Sequence, residues 1–202
     1  MPFRHFNPKV KDHPALDEAV IFKACELADQ VHKKQKRKSG EPFVVHPIAV
    51  AEIILEMGGD ETMICAALLH DAIEESADPQ SMTKTIQKEF GPGVHFLIES
   101  LSKDDRIQDK IEQQAAYFKQ ITEALKLDTS VFFLKMADLI HNMQTIDGLP
   151  PDRREKWIKE LKEVYLPLLS EQFHTVSFHY HDMYLNLINR LESVIHEYDR
   201  MS

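Results

Sequence analysis

The chain has 202 residues, 43% of them hydrophobic, and a formal charge of −9 from 24 basic and 33 acidic side chains. That is enough apolar material for one sizeable core, and the acidic balance argues against nucleic acid as a partner. No run of about 18 uncharged apolar residues occurs, and the first eight residues lack the apolar stretch of a signal peptide, so a soluble, cytoplasmic protein without a membrane partner is expected.

In chain order, residues 14 to 36 carry Leu16, Val20, Ala24, Leu27, Ala28 and Val31 at helical spacing, with Asp17 and Glu18 early and lysines late, as the helix dipole favours. Cys25 lies here and Cys65 in another apolar segment, so both read as core residues rather than a disulfide or thiolate site. Five cations then fall within the six residues Lys33 to Lys38, which is either a solvated helix face or, in an acidic protein, a rim for a small, highly charged anion. Ser39-Gly40-Glu41-Pro42 makes a loop, Phe43-Val44-Val45 is short and apolar, and Pro47 opens a helix over about 47 to 57. Gly58-Gly59 ends it and Asp60 caps the next helix, which is expected to run through Ala66 to Glu75.

Asp78-Pro79-Gln80-Ser81 is a break, followed by a helix over about 82 to 90, an interruption at Gly91-Pro92-Gly93 and a short helix to about 101. Residues 102 to 106 are polar and loop-like, and 107 to 126 are again helical. A largely apolar helix over about 129 to 146 follows, closed by Leu149-Pro150-Pro151, and amphipathic segments at about 152 to 170 and 175 to 199 complete the chain. The expectation is an all-α single domain spanning 1 to 202, of about eight to ten helices.

Two stretches carry chemistry. In the first, an apolar run meets His70, Asp71, Glu74 and Glu75; on a helix His70 and Glu74 are an i,i+4 pair and Asp71 and Glu74 an i,i+3 pair, so the three share a cleft. In the second, Asp138 is the lone acid between Val131 and Ile140, which is costly without a partner, and Asn142 and Thr145 extend a polar stripe from it unless they merely cap the helix end. With His46, the set His46, His70, Asp71 and Asp138 supplies two imidazoles and two carboxylates, suited to Mn²⁺, Fe²⁺ or Zn²⁺. His141 is expected to point away from the Asp138 face, and His174, His179 and His181 form a loose C-terminal cluster open to adventitious metal.

The segments Arg37 to Pro42, Val45-His46-Pro47, Ala66 to Glu75 and Lys135 to Met143 resemble, in order, the hydrolase domain of Rel/Spo-type alarmone enzymes of the HD phosphohydrolase superfamily. The match runs from about residue 20 to 146, and the chain length points to the hydrolase-only branch, the small alarmone hydrolases. The resemblance implies an HD-type helical fold, His46, His70, Asp71 and Asp138 as ligands to manganese, and Glu74 as the carboxylate that orients or activates water, with Glu75 the acid beside it. It also implies that Arg37, Lys38 and Ser39 meet the nucleotide while Asn142 and Thr145 line the nucleoside pocket. The implied reaction removes the 3′-pyrophosphate of ppGpp or pppGpp, and the partner is a small anionic nucleotide. Two departures bear on substrate: Glu75 replaces the usual Asp, and Leu139 and Gln144 stand where arginines are common. They keep two alternatives open, a phosphohydrolase acting on NADPH or another nucleotide, and a non-catalytic alarmone-binding module.

Overall fold

Apolar periodicity becomes helix almost throughout the computed structural model, which describes residues 6–11, 13–104, 106–171 and 180–201. The order is α1 (Phe6–Lys11), α2 (Glu18–His32), α3 (Val45–Glu56), α4 (Glu61–Leu69), α5 (Pro79–Leu101), α6 (Lys110–Leu127), α7 (Ser130–Gln144), α8 (Pro151–Glu160), α9 (Leu166–Glu171) and α10 (His181–Met201). A π turn, Leu161–Tyr165, joins α8 to α9. Among the described residues there is no strand, only one antiparallel bridge between Lys36 and Pro42 that pins the cationic loop into a hairpin. No helix of the described residues is long and apolar enough to cross a membrane.

The α4 helix has no polar face after its first turn, so it must lie in the centre. Met63 to Leu69 are at most 1% exposed, and α2, α3, α5 and α7 enclose them. Each such Leu or Ile contributes about 1.5–3 kcal/mol on burial, so a polar substitution at Leu68 would break the fold before it touched the chemistry. On the far side of α7, α10 covers Phe132 and Phe133, with Tyr184 stacked on Phe132 at 4.6 Å between centroids.

Helix starts follow the acidic caps. Asp17 accepts from the amides of Ala19 and Val20, Asp60 from Met63, Asp78 from Ser81 and Asp109 from Ile111 and Glu112. Each such cap stabilises by about 1 kcal/mol. The expected interruption at 91 to 93 is a kink inside α5: Gly91 adopts φ 86°, ψ 173°, a backbone conformation open to glycine but strained for other residues. At Gly59 a side chain would drive its Cβ into Ile54 Cγ2 and against the Ile54 carbonyl oxygen, so the close turn out of α3 requires glycine.

One expectation needs correction. The helix carrying His70 does not continue to Glu75; α4 stops at Leu69 and residues 70 to 75 form successive turns. The cause is local: His70 Nδ1 donates to the Ala67 carbonyl at 2.8 Å, the acceptor an α-helix would offer to the Asp71 amide. The backbone loosens instead, with the Ala72 amide donating to Leu69 at 2.9 Å.

Candidate metal centre and its cleft

Three separate segments bring titratable groups to one point. His46 lies in the first turn of α3, His70 and Asp71 follow the end of α4, and Asp138 projects from α7. One ligand-capable atom each from His46, His70 and Asp138 lies within 4.8 Å of the others. His46 Nε2 is 3.3 Å from Asp138 Oδ1 and 3.8 Å from Asp71 Oδ2, and His70 Nε2 is 3.3 Å from Asp71 Oδ1 and 3.9 Å from Asp138 Oδ1.

The surroundings prepare these atoms for a cation. His70 donates Nδ1–H to a carbonyl, so in its neutral form Nε2 carries a bare lone pair, and that buried atom has no hydrogen-bond partner among the described residues. Burial of that kind is costly unless something electropositive completes it. Two imidazole nitrogens and the Asp138 carboxylate, with Asp71 beside both rings but outside that closest group, are donors of the kind a borderline divalent ion takes, so the residues fit a metal.

Charge is arranged around Asp138. Although burial favours its neutral form, the neighbouring Lys135, with His46 and His70, holds the Asp138 carboxyl well below the usual range. Lys135 Nζ donates to Asp138 Oδ2 at 3.0 Å and Asn142 Nδ2 to Oδ1 at 2.6 Å. Burial works against the Lys135 charge, but Tyr117, Asp138 and Tyr165 keep it an ammonium, with the Tyr165 ring centroid 4.9 Å away. For His70, burial is outweighed by Asp71 and Asp138, which raise it above the ordinary histidine value; for His46 burial prevails and lowers it.

The cluster opens into a cleft of about 530 Å³. Arg37, Lys38, Ser39, Asn142 and Thr145 all line it. Arg37 crosses from the hairpin loop to α7, donating to Thr145 Oγ1 at 2.9 Å and Asn142 Oδ1 at 3.3 Å. Ser39 donates to Glu41 Oε2 at 3.3 Å. Glu74 faces the cleft despite the broken helix, its Oε1 accepting from the Lys103 amide at 2.6 Å. Glu75 turns elsewhere: its Oε2 accepts from Gln35 Nε2 at 2.8 Å, and Gln35 accepts from His32, so it anchors the root of the cationic loop.

Sequence reasoning missed several groups. Lys135 is as conspicuous in the apolar run as Asp138 and stands three residues before it, an i,i+3 spacing that could have revealed the pair. The aromatic wall of Tyr117, Trp157 and Tyr165 comes from α6, α8 and the π turn and had no local signal. The expectation for His141 is corrected: it turns towards His46, its Nδ1 2.7 Å from His46 Nδ1, because the close approach of α3 and α7 leaves that ring buried. Burial, with His46 and Arg37 nearby, lowers His141 to about 3. Of the C-terminal histidine cluster, His174 and His179 lie outside the described residues.

Residues 24–172 match a family model described as HD domain (HD_4). A probable guanosine-3′,5′-bis(diphosphate) 3′-pyrophosphohydrolase of Synechocystis is 35% identical over 160 residues, 78% of this chain and 21% of that protein. The bifunctional (p)ppGpp synthase/hydrolase SpoT of Escherichia coli K12 is 39% identical over 169 residues, 82% of this chain and 24% of that protein. A probable GTP pyrophosphokinase of Mycobacterium leprae is 35% identical over 156 residues, 77% and 19% of the two chains. The chain thus spans about a fifth to a quarter of the length of these curated relatives. A solved structure reported as a metazoan ortholog of SpoT that hydrolyzes ppGpp superimposes with a TM-score of 0.71 at 23% identity, covering 89% of this chain and 95% of that one. At that identity the likeness speaks for the fold.

Proposed function

The chain belongs to the HD-domain family, and from that premise we propose that it is a metal-dependent hydrolase that cleaves the 3′-pyrophosphate of ppGpp or pppGpp, giving GDP or GTP and pyrophosphate. The observation that carries this reading is the orphaned His70 Nε2 in a buried His–Asp cluster that opens directly into a cation-lined cleft. The relatives named for ppGpp hydrolysis support it, as does the net charge of −9, which suits a small anion held by local cations better than a polyanion. We read the chain as one domain, since the cleft draws on α3 to α8 together.

In this reading His46, His70, Asp71 and Asp138 hold the ion, manganese by the resemblance. When bound it supplies Lewis-acid stabilisation of phosphoryl charge and acidifies water. Glu74 orients the attacking water and takes its proton, and the Lys103 amide fixes the carboxylate for that task. Arg37, Lys38 and Ser39 meet the nucleotide, the two cations at its phosphates and ribose, and Asn142 and Thr145 line the nucleoside end. Glu75 acts at a distance, by holding the cationic loop through Gln35.

Leu139 favours a second reading. It lies in the cleft wall, 2% exposed, where an arginine would have added a phosphate partner. An apolar wall there suits a nucleotide with less charge, such as NADPH, hydrolysed at its 2′-phosphate. The test is a turnover panel of ppGpp, pppGpp, NADPH and deoxynucleotides with manganese and with a chelator, on wild type and Asp138→Ala. Chelator-sensitive turnover of ppGpp that is lost in Asp138→Ala is expected. Turnover of NADPH alone selects the second reading, and tight ppGpp binding without turnover of any substrate makes the protein a sensor.

A further inference from the structure

His46 and His70 face the same point, but their outer nitrogens are treated differently. His70 Nδ1 meets a carbonyl, which only accepts, so its tautomer is settled by the backbone. His46 Nδ1 meets another imidazole: His141 Nδ1 lies 2.7 Å away, both rings are at most 8% exposed, and the ring planes are inclined by 36°. One proton must lie between two nitrogens at that distance, and either ring can carry it.

The choice decides whether His46 can bind a cation. If His141 donates, neutral His46 carries its own proton on Nε2, which points at Asp138 and Asp71 and blocks coordination. If His46 donates, Nε2 presents a lone pair to the cluster. We propose that His141 is a positioning residue that accepts the Nδ1–H of His46 and so holds His46 in the one tautomer able to ligate metal. The inference rests on the reading of His46 as a ligand. His141 itself does not line the cleft, and its place on α7, three residues after Asp138, makes one helix present both a ligand and the partner of a ligand from α3.

Two measurements test this. In ¹⁵N-histidine-labelled protein loaded with zinc as a diamagnetic probe, the proton should reside on His46 Nδ1, with scalar coupling across the N–H···N bond and His141 as the Nε2–H tautomer. A proton on His141 Nδ1 overturns the proposal without any substitution. By calorimetry with manganese, His141→Phe should bind about 10–100-fold more weakly, the usual effect of losing a ligand's hydrogen-bond partner. His141→Asn, which keeps an acceptor near that position, should recover most of the affinity. If His141→Phe binds like wild type while His46→Ala loses metal, the tautomer role is wrong and the metal site stands. If His46→Ala also binds like wild type, the ligand reading fails, and this inference with it.

Discussion

Replacing Lys135 with Met removes a charge and little volume from the closest ion pair in the cleft among the described residues. The Lys135 and Asp138 side chains are 10% and 13% exposed, and their charged atoms are 3.0 Å apart. Coulomb's law at an effective dielectric of about 20 gives roughly 5–6 kcal/mol for unit charges at that separation. Truncating one partner of a buried pair costs about 3–5 kcal/mol, since the remaining charge loses its partner but can escape by protonation. The metal-free protein should therefore lose about 3–5 kcal/mol of unfolding free energy in Lys135→Met, measured by urea denaturation in chelator. A divalent ion supplies Asp138 with a new counter-charge, so manganese should rescue the variant by more than it stabilises wild type. The same cycle requires the variant to bind manganese more tightly. A loss under about 1 kcal/mol, or equal stabilisation of both proteins by manganese, would refute the reasoning by showing that Asp138 is solvated or neutral without its lysine.

Glu74→Gln keeps shape and removes the base, so turnover should fall by about 10²–10⁴-fold; manganese content by elemental analysis should stay near wild type, and loss of metal would make Glu74 a ligand instead. Arg37→Ala removes charged hydrogen bonds to Asn142 and Thr145 and should raise KM by about 10–100-fold, whereas wild-type kinetics at low salt would return the residue to a solvated face. The raised value of His70 sets a pH dependence: its charged form stabilises the metal-free fold fully below the ordinary value of about 6.5, and that contribution is lost as pH rises through the raised value. Thermal midpoints in chelator should decline above about pH 6.5, where the contributions of lowered His46 and His141 are complete and no longer change with pH, while the stabilisation by manganese, which requires neutral His70, should grow over the same range. A flat or rising midpoint in chelator would refute this.

By itself the sequence determined the helices and the identity of the polar groups that had to meet. Apolar spacing and the acidic cap at Asp60 are short-range signals, and they place α2, α6 and the start of α4 to within a few residues. Isolated polar residues in apolar runs, His70 and Asp138 above all, announced a partner, because burying them alone is too costly to persist. Tertiary structure decided which partner. The α4 helix yields at Leu69 because His70 takes a backbone carbonyl, a competition that helical spacing does not register. Glu75, next to Glu74 in the chain, is drawn to Gln35, 40 residues away, and His141 to His46, 95 residues away. Such contacts depend on how three helices approach one another, and a side chain's direction at a helix end is set by packing rather than by its place in the sequence.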